Sequence, residues 1–172
     1  MLQNRTSVHI LGLLAASLLL DASALAQSQQ DQTFIKTAME VNLAEIQIGQ
    51  LASKQGATEG VKKFGQRLVI DHTRLEDELK PIAAKIGLTP PTELAPGDQT
   101  LLGKLQGQSG SEFDDTFIHA MVKGHQEAIQ LYKTEETSGQ DPTVKNAARY
   151  GEPVIAEHLK LAEHLQGGTG KS

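Results

Sequence analysis

The chain contains no cysteine. That excludes a disulfide framework, a lipidated cysteine anchor, covalent c-type haem, thiolate zinc sites and a cysteine nucleophile. Tryptophan is absent and aromatics are only 3% of the 172 residues, which argues against stacking platforms for sugars or bases. Basic blocks are missing too. The densest cluster is Lys62-Lys63 with Arg67, and the formal net charge is −5, so no nucleic-acid partner is expected. Without a Gly-rich phosphate loop or a Gly-x-Ser-x-Gly elbow, hydrolysis and group transfer have no motif to rest on. Nothing alternates with period two, so no sheet is expected.

What is present begins with an export pattern. Arg5, an apolar run from Val8 to Leu20 and the small-residue site Ala24-Leu25-Ala26 read as a signal peptide, residues 1–26, cleaved after Ala26. The run is too short to serve comfortably as an anchor helix, since about 20 apolar residues are needed to span a bilayer. No stable membrane anchor is therefore expected after cleavage. An exported chain without thiols fits an oxidising compartment, and the Ala-x-Ala site points to the bacterial periplasm. Residues 27–172 are then a natural length for one domain.

Four long helical patterns fill that domain. The first, about Gln32 to Lys54, places Phe34, Ala38, Val41, Glu45, Ile48 and Ala52 on one face. The second, about Thr58 to Ile86, carries Val61, Phe64, Leu68, His72, Leu75, Leu79, Ile82 and Ile86, and stops at Gly87 before Pro90-Pro91. The third opens at Ser111, with Asp114 in the capping-box position, and its stripe is Phe113, Phe117, Met121, His125, Ala128 and Tyr132. The fourth opens at Asp141-Pro142, a capping residue followed by proline at the first helical position. Its stripe is Val144, Ala147, Gly151, Val154, His158, Leu161 and Leu165. Pro81 and Pro153 each remove a backbone donor and should bend their helices. The long connection from Leu88 to Gly110 has room for a short helix near Gln99–Leu105, whereas the other links are brief. The expected fold is all-α: an antiparallel four-helix bundle with one long connection between its second and third helices.

Each stripe carries one ionisable residue near its middle. At about 100° per residue, Glu45 and His158 lie within roughly 30° of their stripe directions, His125 within about 40° and His72 within about 50°. The segments FGQRLVIDH (64–72) and FIHAMVKGH (117–125) align without a gap, which puts His72 and His125 at one depth. Glu45, His72, His125 and His158 are thus expected to converge in one layer. Asp71 flanks the second stripe. Glu76, one turn after His72, is either an outer partner for that imidazole or part of a solvated acidic run with Asp77 and Glu78. Buried ionisable groups persist only when paired, hydrogen-bonded or coordinated. Imidazoles and a carboxylate suit a single transition-metal ion such as Zn, Cu or Fe. A metal-free hydrogen-bond network is the competing account. His119 and His164 fall away from their stripes and are expected in solvent, while Met39 and Met121 read as core filler.

The stretches VNLAEIQIGQLASKQ (41–55), VKKFGQRLVIDH (61–72), FDDTFIHAMVKGHQEAIQLY (113–132) and DPTVKNAARYGEPVIAEHLKLAEHL (141–165) carry a resemblance. Together they resemble a bacterial exported family, the "domain of unknown function" numbered 4142. The resemblance implies a ferritin-like fold and an exported location but no reaction. In the second histidine box it implies Asp-His, where this chain has Gly124-His125. Carboxylate di-iron bundles need Glu-x-x-His on two helices, and this sequence contains none, so ferroxidase chemistry is disfavoured. Three functions remain: a non-catalytic, stress-related binding protein holding one metal ion, an interaction bundle whose polar layer is structural, and an oxidoreductase using a mononuclear metal or non-covalent haem.

Overall fold

The computed structural model describes the backbone of residues 14–169 and side chains from 29 to 168; residues 1–13 of the export pattern, with His9, lie outside the described residues. Every element is a helix: α1 (Leu14–Gln55), α2 (Glu59–Lys85), α3 (Pro96–Gln106), α4 (Gly110–Ser138) and α5 (Pro142–Thr169). The long connection holds α3, as its composition suggested. Among the described residues no helix is long and apolar enough to cross a membrane.

Helix boundaries follow local chemistry. Thr58 caps α2 by accepting the Val61 amide, and Gly87, at φ +74, turns the chain out of it in a conformation that favours glycine. Asp141 accepts the Thr143 amide at 2.6 Å where α5 begins. Asp114 does something the sequence did not suggest. It does not cap its own helix, which follows Ser109 and begins at Gly110. Its carboxylate reaches across to accept the amides of Ala57 and Thr58 at 2.8 and 2.9 Å and the Thr58 hydroxyl at 2.8 Å. Asp31 on α1 mirrors it, accepting the amides of Gln140 and Asp141 at 2.9 and 3.1 Å. Each hairpin, α1–α2 and α4–α5, thus has its loop held by a carboxylate from the first helix of the other.

Helix α1 lies along α2, α4 along α5, and α2–α5 and α1–α4 contacts close a ring. Pairings such as Asn42–His72 with Gly49–Gly65, and His125–His158 with Tyr132–Gly151, run in opposite chain directions, so both hairpins are antiparallel. The core falls into two apolar clusters. One holds Phe34, Met39, Leu75, Leu79, Ile129, Tyr132 and Ile155; the other holds Ile48, Leu68, Phe64, Phe113, Phe117 and Met121. On α5 the fully buried positions are Val144, Ala148, Ile155, His158 and Ala162. The expected stripe holds at Val144, Gly151 and His158, whereas Ala147, Val154 and Leu161 are only partly buried and their neighbours Ala148, Ile155 and Ala162 take the core positions. Pro81 and Pro153 both sit inside their helices.

Helices α1 and α2 approach most closely at Gly49 and Gly65. A Cβ on Gly65 would lie 2.7 Å from the Gly49 carbonyl and 2.7 Å from the Ser53 amide, both backbone atoms that cannot step aside. Gly65→Ala should therefore cost about 1–3 kcal/mol through forced separation of the two helices. Gly103→Ala, which meets nothing within 4 Å, should instead stabilise α3 by up to about 1 kcal/mol. Urea denaturation of both variants checks the pair, and equal effects would contradict the close approach.

Candidate metal centre

His72 on α2, His125 on α4 and His158 on α5 meet between the two apolar clusters and are buried, with 0, 2 and 0% exposure. One ring nitrogen from each lies within 4.8 Å of the other two. Phe64 packs against the rings of His125 and His158 from one side, at 6.4 and 6.1 Å between centroids. The layer follows from helical spacing: His72 lies between Leu68 and Leu75, His125 between Met121 and Ala128, and His158 between Ile155 and Ala162.

Each imidazole is oriented by a partner behind it. His72 Nδ1 is 2.9 Å from Asn42 Oδ1, and the Asn42 amide is itself set by donating to Glu76 Oε2 at 3.4 Å. His125 Nδ1 is 2.8 Å from the Met121 carbonyl. His158 Nε2 is 2.9 Å from Asp71 Oδ2, and Asp71 also accepts from Arg67 on the surface. All three partners are acceptors, so each ring commits its proton outward. The inward nitrogens, His72 Nε2, His125 Nε2 and His158 Nδ1, are left with lone pairs. His125 Nε2 and His158 Nδ1 face each other at 3.4 Å with no proton between neutral rings, and His72 Nε2 has no hydrogen-bond partner at all.

The protonation states agree with that geometry. Burial, with His158 and His125 nearby, holds His72 well below the ordinary histidine range. Burial and His158 lower His125 to about 4, against a smaller upward pull from its bond to Met121. His158 is lowered by burial, although Asp71 pulls it upward. Burial would raise Asp71, but the bonds from Arg67 and His158 outweigh it and keep the carboxylate ionised. At neutral pH the centre holds three neutral imidazoles, the form that ligates metals.

Glu45, expected in this layer, is buried but stands outside the group of three imidazoles. It lines a separate cavity with Asp98 and Gly124, where burial and Asp98 raise its carboxyl to about 8. The residue that α1 brings to the histidines is Asn42, one turn earlier and fully buried. An apolar stripe drawn through Val41 passed over it. The available signal was the seven-residue interval Ile35–Asn42–Gly49, three positions that all prove buried. Asp71 partners His158 rather than its neighbour His72, and Glu76 reaches His72 only through Asn42. His119 and His164 are exposed, as their positions implied.

The family model described as "Domain of unknown function (DUF4142)" matches residues 17–165. The chain belongs to this family. A solved structure titled "Crystal structure of DUF305 fragment from Deinococcus radiodurans" is similar to this member of the DUF4142 family, with TM-score 0.71 and 12% identity over 80% of this chain and 95% of that one. At that identity the likeness concerns the fold. No curated protein matches.

The buried histidines bear on stability. His125 has a depressed value in the folded chain, about 4 against the usual 6.5, so its contribution is complete above pH 6.5 and is lost as pH falls toward 4. That amounts to a loss on the order of 3 kcal/mol for this ring. Glu45 and Glu135 act in the opposite sense: burial raises them to about 8 and about 7, so their contributions are complete in acid and disappear as pH rises through those values. His125→Leu should therefore flatten the fall in unfolding free energy between pH 6.5 and 4. Parallel pH profiles for variant and wild type, measured by denaturant titration, would contradict this assignment.

Proposed function

We propose that this protein is an exported, periplasmic, non-catalytic member of its family that binds one transition-metal ion on His72, His125 and His158. The reading treats the four long helices as a ferritin-like four-helix bundle with α3 in its crossover, and residues 1–26 as a cleaved signal peptide. The single observation that carries it is the set of three inward lone pairs, each fixed by an outward hydrogen bond. Metal-bound imidazoles are supported in this way, with the far N–H given to a carboxylate, a carbonyl or an amide oxygen. Tetrahedral coordination at about 2.0–2.1 Å from Zn to nitrogen requires nitrogens roughly 3.4 Å apart. The His125–His158 pair stands at 3.4 Å already, and no distance to His72 exceeds 4.8 Å.

Enclosure supports binding without turnover. All three rings are buried, with Phe64 packed against those of His125 and His158, and catalytic metal sites keep a position open to substrate. A metal-free network accounts for the outward bonds but leaves His72 Nε2 without a partner.

Metal content by elemental analysis and melting with Zn(II) or Cu(II) test the reading. One ion per chain is expected, with about 2.7 kcal/mol of stabilisation at 100 times the dissociation constant. His72→Phe combined with His125→Leu should abolish the shift, and Asp71→Asn should weaken binding about 10–100-fold. A wild-type chain that carries no metal and melts unchanged with either ion would sink the proposal. Mass analysis of the chain from the cell envelope should show a new N-terminus at Gln27, and an intact leader there would refute export by cleavage.

A further inference from the structure

A cavity that none of the three histidines lines lies between α1, α3 and α4 and is bordered by Met121 and Gly124. Its volume is about 250 Å³ and its walls are mainly apolar, with Val41, Ile48, Leu101 and Leu131 among them. Glu45 stands in it, only 7% exposed, and its Oε2 has no hydrogen-bond partner. Asp98 on α3, half-buried, faces the same space, and Glu127 on α4 borders it at the exposed rim, where Lys123 approaches it at 3.8 Å. No Lys, Arg or His lines the cavity. Burial without a partner is costly for a carboxyl group, and nothing in the fold compensates Glu45.

The chemistry that would compensate it is narrow. Charge selects a cation. Glu45, Asp98 and Glu127 do not gather into a three-ligand metal site; among the described residues the group that does is the three histidines. Apolar walls also suit a hydrated ion poorly, whereas they suit an alkyl chain. We propose that this cavity binds a short aliphatic ammonium ion, its head on the Glu45 carboxylate and its chain along Val41, Ile48, Leu101 and Leu131. Asp98 adds long-range attraction and, for a diamine, a partner for the second ammonium group.

Glycine at position 124 keeps the site open. A Cβ there would meet only Glu45 Oε1, at 3.9 Å, so any larger side chain at 124 grows into the cavity. Binding also has a proton signature. Glu45 is raised to about 8, first by burial and then by Asp98, so at neutral pH it must release a proton to pair with an ammonium group. Affinity should climb about tenfold per pH unit up to about 8 and level off above it.

Isothermal titration of the full-length chain with n-butylamine hydrochloride and with 1,4-diaminobutane tests the proposal, with n-butanol and Mn(II) as controls. One saturable site is expected for each amine above pH 8, with proton release on binding at pH 7 and no comparable binding of n-butanol. Glu45→Gln should weaken the amines at least about tenfold. Gly124→Leu should abolish binding without lowering the melting temperature, and it decides the matter if Glu45→Gln proves poorly folded. Absence of saturable amine binding, equal affinity in either variant, or n-butanol binding as tightly would overturn the proposal. So would Mn(II) occupying the site in a Glu45-dependent way. None of these readouts involves the imidazoles, so a negative result leaves the metal reading standing, and an empty histidine centre leaves this one standing.

Discussion

Everything about this fold turns on a polar waist. Each of the four long helices sends one polar side chain into a common layer between the apolar clusters: Asn42, His72, His125 and His158, all essentially without solvent contact. Above and below it lie the two hydrophobic clusters, and neither supplies a side-chain partner for an imidazole nitrogen; the one contribution from a cluster residue is the Met121 backbone carbonyl. The cost of burying these rings is met by hydrogen bonds that leave the layer outward, to an asparagine, a backbone carbonyl and a carboxylate. What those bonds cannot satisfy is the centre. Two lone pairs meet at 3.4 Å and a third has no partner, an arrangement that could hold a metal ion.

The bundle's outer devices hold that geometry in register. Reciprocal carboxylates, Asp31 to the α4–α5 loop and Asp114 to the α1–α2 loop, lock the two hairpins against sliding. A slide of one helix by a turn would exchange a histidine for Leu68, Met121 or Ile155 and dissolve the layer. The close passage of α1 against α2 at Gly49 and Gly65 sets the depth at which Asn42 meets His72. Fold and site are therefore one constraint seen from two ends.

Much of this was legible in the residues themselves. Long periodic stripes and short links place four helices; the α4 stripe coincides with the observed core, and the α2 stripe does so from Val61 to Leu79, after which Ala83 is buried in place of Ile82. His72, His125 and His158 announced themselves because a titratable group within an apolar stripe is costly and must have a reason. Glu45 misled for the same reason. It too is buried, but helix periodicity gives direction to within tens of degrees, and two adjacent buried faces of α1 are that far apart. One face looks at α2 and the histidines and takes Asn42; the other looks at α3 and α4 and takes Glu45. Asn42 escaped because an uncharged amide draws no attention in a pattern search. The role of Asp114 was hidden for another reason: a hydrogen bond between residues 56 positions apart leaves no local trace.

Charge adds a final constraint on what completes the layer. Three neutral imidazoles bring no negative charge, and Asp71, one bond behind His158, brings a single one. A monovalent ion there would be balanced almost fully by Asp71. A divalent ion would leave about one positive charge in an apolar core, which demands an accompanying anion. The surface side of Asp71 works against it, because Arg67 already draws on the same carboxylate.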